Sequence, residues 1–190
     1  MRKLFAITLT AGLLGGLATG VVTASPAAAE ERVCRGTLGA ISVDNLRVPT
    51  GASCTLNSTR VRGTLKVEGG GTVTGTRIRV HGNIQAEGAK VVRALGGSIV
   101  YGSVQVKQGG AARVADSRVV GDIQYESNRG VVHSWRNGVG GNIQIVQNTG
   151  GVTVRANRVD GNLQCKANYP APTGYGNIVG GNKEDQCRRL

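Results

Sequence analysis

The sequence predicts an all-β fold: a single-stranded parallel β-helix (solenoid), right-handed, with about 19–20 residues per rung and disulfide-stapled ends. Three observations lead there. A short phrase recurs at near-constant spacing, strict alternation surrounds each copy, and cysteines sit one rung apart at both ends. The phrase reads Gly63-Thr64-Leu65-Lys66-Val67, Gly82-Asn83-Ile84-Gln85-Ala86, Gly102-Ser103-Val104-Gln105-Val106, Gly121-Asp122-Ile123-Gln124-Tyr125, Gly141-Asn142-Ile143-Gln144-Ile145 and Gly161-Asn162-Leu163-Gln164-Cys165. A degenerate copy starts at Asp44 and a decayed one at Gly181, so successive anchors are separated by steps of 19, 19, 20, 19, 20, 20 and 20. A fixed period this short marks a rung that buries its apolar side only when the next rung stacks on it.

Residues 1–29 read as a cleaved secretory leader. Arg2 and Lys3 precede an apolar stretch from Leu4 to Val22, and Ala27-Ala28-Ala29 offers a small-residue cleavage site. Residues 30–190 then form one β-helix domain with no further apolar run, so no membrane span is expected in the mature chain.

Each rung is legible position by position. Two residues after the anchor stand Leu46, Leu65, Ile84, Val104, Ile123, Ile143 and Leu163; four after stand Val48, Val67, Ala86, Val106, Tyr125, Ile145 and Cys165. Polar residues separate them, which is the period of a half-buried strand. Two before the anchor, Val61, Val80, Val100, Val119, Val139, Val159 and Val179 form a third inward column. Another strand precedes these, carried by Val73, Val114, Val132, Val152 and Val154. The anchor glycine either turns a corner at positive φ or leaves room inside a tight rung. Eight anchors at strand spacing give a rod roughly 35–40 Å long. Left-handed hexapeptide helices keep a six-residue module, roughly 18 residues per turn. A rung of 19 or 20 breaks that module, hence the right-handed expectation.

The cysteines define the ends. Cys34 to Cys54 is a step of 20 and Cys165 to Cys187 a step of 22, each about one rung, so each pair falls within disulfide reach. An oxidising, extracellular location is implied. In the last rung the inward position becomes Lys183, which predicts a polar cap on an open sheet edge. Asn168 to Gly174, with Pro170 and Pro172, reads as a loop.

The Ala-x-Ala leader, Cys34-Arg35-Gly36, the Gly-Asn-Ile/Leu-Gln rungs and the closing Gly-Gly-Asn-Lys-Glu-Asp-Gln-Cys together resemble a group of small secreted β-helix proteins of streptomycetes and related actinobacteria. The resemblance covers the whole chain and is most specific at the C-terminal motif. It implies export and a β-helix and hands over no activity. A looser, architectural similarity is to the bactofilin-type polymer-forming β-helices.

Catalytic patterns are not apparent. Asp44 and Asp122 share a region of the rung but lie four rungs apart, roughly 19 Å on the strand spacing. A glycosidase needs its two carboxylates within about 5–10 Å. Glu68 and Glu87 lie on adjacent rungs, in a column that also holds Lys107 and Lys166 and so reads as a solvated edge. No catalytic residue, cofactor or metal is expected; His81 and His133 fall in different columns.

What remains is an ordered basic surface. The chain carries 23 Lys and Arg against 11 Asp and Glu, a formal charge of +12. A GC-rich coding sequence would favour Arg, Gly, Ala and Val in the same way, so composition alone leaves the meaning of that charge open. Three residues before the anchor stand Arg60, Arg79, Arg118 and Arg158, with Ile99, Gly138 and Ile178 breaking the column. Asn45, Asn83, Asn142, Asn162 and Asn182 follow the anchor, and Gln85, Gln105, Gln124 and Gln144 lie two beyond. Shared parity predicts one face bearing all three columns. Stacked amides hydrogen-bond along a ladder and give the Asn and Gln a structural role. Stacked Arg residues repel and call for an anionic partner. The expected function is a non-catalytic secreted solenoid binding an anionic polysaccharide or cell-wall polymer through these Arg and Gln residues. A self-assembling surface module and a polysaccharide-degrading enzyme are the alternatives. Nucleic acid is not the expected partner in vivo, and a monomer is favoured.

Overall fold

The computed structural model describes residues 30–190; the leader read at residues 1–29 lies outside them. Among the described residues every element is a strand, and 24 strands form three parallel sheets. The first sheet holds the anchor strands: Glu31–Val33, Asn45–Val48, Leu65–Val67, Ile84–Glu87, Val104–Lys107, Ile123–Glu126, Ile143–Val146, Leu163–Lys166 and Lys183–Asp185. The second sheet runs from Gly36–Leu38 through Ser53–Asn57, Thr72–Thr76, Val91–Leu95, Ala111–Ala115 and Val132–Trp135 to Val152–Arg155. The third consists of two-residue strands: Ser42–Val43, Arg60–Val61, Arg79–Val80, Ile99–Val100, Arg118–Val119, Gly138–Val139, Arg158–Val159 and Ile178–Val179. The chain visits the three sheets in turn, so each rung has three strands and three corners. About eight rungs stack into a β-solenoid.

Register follows the repeat. Ile84 pairs with Leu65 on one side and Val104 on the other, and Ile123 pairs with Val104 and Ile143. The predicted inward columns are buried: Leu46, Leu65, Val104, Ile123, Ile143 and Leu163 are inaccessible to solvent, with Val61, Val80, Val100 and Val119 facing them from the third sheet. The rungs adjust volume locally. Gly75 points inward where Ile78 fills the next corner, and a Cβ on Gly75 would come within 2.6 Å of the Ile78 Cδ1. Tyr125 is fully buried and donates its hydroxyl hydrogen to the His133 carbonyl at 3.1 Å.

The three corners use two devices. At the anchor corner the glycines lack positive φ; the second of the two expected reasons applies. A Cβ on Gly82 would stand 2.7 Å from the Gly63 carbonyl oxygen, and one on Gly161 would stand 2.8 Å from that of Gly141. Glycine is present because rungs pass too closely for a side chain. The other two corners turn through a left-handed residue, and most of these are not glycine. After the first sheet come Gln108, Ser127, Gln147 and Ala167, with φ of 52–56°. After the second come Ser58, Arg77, Asp116, Arg136 and Ala156, with φ of 50–57°. Ala156 is exposed, so its backbone alone is at stake. Ala156→Val should destabilise by about 1–2 kcal/mol, because a β-branched residue is a steric outlier there. Ala156→Gly should be neutral or slightly stabilising, and thermal unfolding of the two variants checks both.

After most of the left-handed residues in the later rungs the chain buries a polar side chain. Asn128, Asn148 and Asn168 stack at one corner; Asn137, Asn157 and Asn177 stack at the other. Each Oδ1 accepts the backbone N–H and, in most pairs, the side-chain amide of the rung before it, as from Asn128 to Asn148 at 3.0 and 2.9 Å. These ladders satisfy backbone donors that the corner removes from the sheets.

The ends close as expected, with one difference of register. Cys34–Cys54 and Cys165–Cys187 are disulfides with Cα separations of 5.7 and 5.1 Å. Yet Cys54 pairs in the sheet with Gly36, and Cys165 with Asp185. Each bridge therefore crosses two residues diagonally from a terminal rung into the core. Lys183 takes the inward position opposite Leu163. Its Nζ donates to the Leu190 carbonyl, and Leu190 folds back against the core. Across the predicted loop the second sheet shrinks to one bridge, Thr153 to Thr173.

Candidate functional site

The third sheet presents the Arg column. Each strand has two residues; Val61, Val80, Val119 and Val159 point into the core, so Arg60, Arg79, Arg118 and Arg158 point out, and all four are exposed. Arg60 and Arg79 are direct neighbours in register. Ile99 separates Arg79 from Arg118, and Gly138 separates Arg118 from Arg158. The guanidinium groups thus repeat at one or two rungs, about 5 or 10 Å on the strand spacing. Among the described residues none of the four makes an ion pair. Gly138 leaves open space above the sheet, and a notch of about 300 Å³ lies there between Arg118 and Arg158, with Asp160 at its rim.

A second outward column runs beside the first, two residues further along each rung: Arg62, His81, Tyr101 and Val120. Arg62 lies 3.4 Å from Asp44. The His81 and Tyr101 rings pack at 4.9 Å between centroids, and Tyr101 is 45% exposed. Cations and an aromatic pair therefore share this surface. The anchor periodicity does not single out the aromatic pair; its signal is the one-rung step from His81 to Tyr101.

The Gln column stands elsewhere. Gln85, Gln105, Gln124 and Gln144 are in register with one another on the first sheet. The expectation of one common Arg, Asn and Gln face is therefore corrected: parity carries over from strand to strand, but a corner intervenes at the anchor glycine. The Asn column occupies that corner. Asn45 Oδ1 accepts the Thr64 N–H at 3.0 Å, Asn83 the Ser103 N–H at 2.8 Å, and Asn162 the Asn182 N–H at 2.8 Å. Its role is structural. Among the glutamines, Gln144 donates to Gln164 at 3.3 Å, and Gln164 to Glu184 at 2.7 Å.

The carboxylates sit in mixed-charge surroundings. Glu68 accepts from the Thr50 N–H at 3.1 Å and lies 3.5 Å from Arg47. The Thr50 hydrogen bond first, and then the Arg47 charge, hold its carboxyl below the usual range. A general acid needs the opposite shift. Glu87 pairs in register with Lys107, and Lys107 lies 3.0 Å from Glu126. A shallow hollow of about 530 Å³ between these side chains holds both signs of charge.

A further cluster, on the second sheet, is missed by the sequence reading. Arg113, His133, Trp135 and Arg155 gather on its outer surface. The repeat aligns the inward valines of these strands by hydropathy and leaves their outward partners unaligned.

Fold and surface together define a β-solenoid with ordered cationic columns. No family model matches the chain, and searches of the curated proteins and of the solved structures return no significant match.

Proposed function

We propose that the protein is a non-catalytic, exported β-solenoid that binds anionic cell-envelope or extracellular polymers along its third sheet. The observation that carries this reading is the Arg60, Arg79, Arg118 and Arg158 column: exposed, in register and without ion-pair partners among the described residues. Some arginines outside the column are neutralised, as in Arg136 with Asp116 and Arg47 with Glu31. A repeating anion laid along the rod would offset the repulsion between the guanidinium groups. Tyr101 and His81 supply a stacking surface beside it. Individual contacts at so exposed a surface are weak, but a polymer spanning several rungs adds them at high effective concentration. Two disulfides suit an extracellular location, and the leader reading of residues 1–29 agrees with it.

The test is binding to polygalacturonate and to a glycerol phosphate polymer, with neutral dextran as control. Affinity for a charged polymer should fall steeply between 0.1 M and 1 M salt, as the Debye length shrinks from about 10 Å to about 3 Å. Changing Arg60, Arg79, Arg118 and Arg158 together to Gln should abolish binding and leave the circular dichroism unchanged. Undiminished binding by that variant would reduce the column to composition.

A further inference from the structure

We infer that the outer surface of the second sheet around Trp135 is a separate binding site for a small organic oxyanion, a carboxylate or phosphate carried on an apolar or pyranose body. This site goes beyond the Arg-column reading and stands on a different sheet. Two outward columns build it. Arg93, Arg113, His133 and Thr153 are in register in one, and Leu95, Ala115, Trp135 and Arg155 in the other.

Trp135 is the centre. The guanidinium carbons of Arg113 and Arg155 lie 4.4 and 4.3 Å from the indole centroid, and the His133 ring centroid lies 4.5 Å from it. Cation–π contact fixes the planes of two guanidinium groups, which leaves their edges to meet a ligand in set orientations. Among the described residues no carboxylate forms an ion pair with the cluster, although the Arg113 charge helps to lower the Asp116 pKa. Asp116, the nearest acidic residue along the chain, is taken in a two-pronged pair by Arg136 at 2.5 and 2.7 Å. Arg93, Arg113 and Arg155 make no ion pair among the described residues.

Three unsatisfied nitrogens belong to this cluster. Arg113 Nε, His133 Nδ1 and Trp135 Nε1 are buried without a hydrogen-bond partner among the described residues. Two of the three are obligate donors, and imidazole can be one, so the missing partner is an acceptor. Beside them is a hollow of about 320 Å³, with Arg93, Arg113 and His133 on one side and Val91, Ala111 and Val131 on the other. That volume is at the lower end of small-ligand sites. One polar wall of donors and one aliphatic wall suit an oxyanion on a ring or short chain.

Protonation links to this occupancy. Burial first, then the charges of Arg113 and Arg155, depress the His133 imidazole, so it is neutral near pH 7 in the free protein. The groups that face it are Arg113 on the preceding strand, Thr153 and Arg155 on the following one, and Trp135 on its own. A bound anion favours the imidazolium and raises that pKa. By linkage, affinity then rises as pH falls.

Trp135 is the one tryptophan of the chain, and it reports on the site through Arg113 and His133, which it touches and which line the hollow. The experiment follows its emission during titration with trigalacturonate, with a glycerol phosphate oligomer, and with neutral maltotriose. A saturable change with either charged probe and none with maltotriose is expected, and which probe acts identifies the oxyanion. Arg113→Gln should weaken the response roughly tenfold, the loss of one charge-assisted contact. His133→Gln should bind more weakly than the parent at pH 8 and lose the strengthening toward pH 5.5. The four-Arg variant of the third sheet should keep the full response, which separates this site from the polymer surface. Equal responses to charged and neutral probes overturn the proposal. So does a response lost in the four-Arg variant and kept in Arg113→Gln.

Discussion

Asn148→Leu is expected to destabilise the protein by at least about 3 kcal/mol, although it puts an apolar residue of similar size into a buried position. Asn148 is inaccessible to solvent. Its Oδ1 accepts from the Asn128 backbone and side chain at 3.0 and 2.9 Å. Its Nδ2 donates to the carbonyl of Tyr125 and to Asn168 Oδ1, both at 2.9 Å. Leucine leaves the Asn128 N–H without a partner and weakens the links on either side. Each orphaned buried group costs about 1–3 kcal/mol. Asn148→Asp separates shape from hydrogen bonding. It keeps the outline and the acceptor but loses the donor, and faces the Tyr125 carbonyl and Asn168 Oδ1 with negative charge. Burial raises the folded-state pKa of such a carboxyl above its unfolded value of about 3.9. Its folded state then binds more protons, so stability falls as pH rises through that range. The Asp variant should be markedly more stable at pH 4 than at pH 7. Gln124→Leu, on the outward surface of the first sheet, should stay within about 0.5 kcal/mol of the parent. Denaturant titrations of the three variants check this, and a near-neutral Asn148→Leu would sink the account of the corner.

Why that ladder is illegible in the sequence, when the rest of the rung is not, has a physical answer. The inward columns repeat chemistry in every rung, since each position meets the same neighbours above and below. Val61, Val80, Val100 and Val119 are alike because all four face one narrow core. The corners are freer. Along one of them the chain places Thr59, Ile78, Ser98 and Ser117 before settling on Asn137, Asn157 and Asn177. Hydroxyls, an isoleucine with a compensating Gly75, and amides all solve the same corner, so no column announces itself. The left-handed residue ahead of it is equally mixed: Arg77, Asp116, Arg136 and Ala156 share a conformation and no chemistry. The surface fails for another reason. Alternation assigns a side chain to the inside or the outside of the rod and carries no information about which of three sheets it leaves. Arg118 and Gln124 have the same parity, and a corner between them puts them on different sheets. The Trp135 cluster is legible in principle, because Arg93, Arg113 and His133 follow one another at equal steps of one rung. Alignment of outward positions by chemistry, as well as inward ones by hydropathy, brings it out.

Removing the terminal disulfides is expected to loosen the rod only at its ends. Cys165 and Cys187 are fully buried, and Cys34 and Cys54 are 2% exposed, so each bridge is both a covalent staple and the last layer of core. The bridges close sequence separations of 22 and 20. Closing a loop of that size is worth about 3 kcal/mol in the chain-entropy model. A repeat rod distributes such a loss unevenly, because each rung contacts only its neighbours. With Cys165 and Cys187 both changed to Ala, the strand Lys183–Asp185 keeps its pairing to Leu163–Lys166 and its Lys183 contact to Leu190, and the final turn is held only by the Leu190 packing and by the Gln186 hydrogen bonds to Cys165 and Asn168, with no covalent tie. Amide exchange should accelerate at Leu163, Gln186 and Leu190, whose backbone N–H groups bond within the last two rungs. At Ile123 and Ile143, which donate to Asn142 and Asn162 in the middle of the stack, it should be little changed. The Cys34/Cys54 variant should show the mirror pattern, fast at Asn45 and Leu46 and unchanged at Ile123. The asymmetry between the ends sets the order of the two losses. At the C-terminal end Lys183 and Leu190 still cover the stack, whereas at the N-terminal end Val33 is 44% exposed and Ile41 39% exposed. Loss of Cys34–Cys54 should therefore open its end further into the rod. A uniform rise in exchange along the whole stack, in either variant, would mean that the solenoid unfolds as one cooperative unit and that the staples act globally.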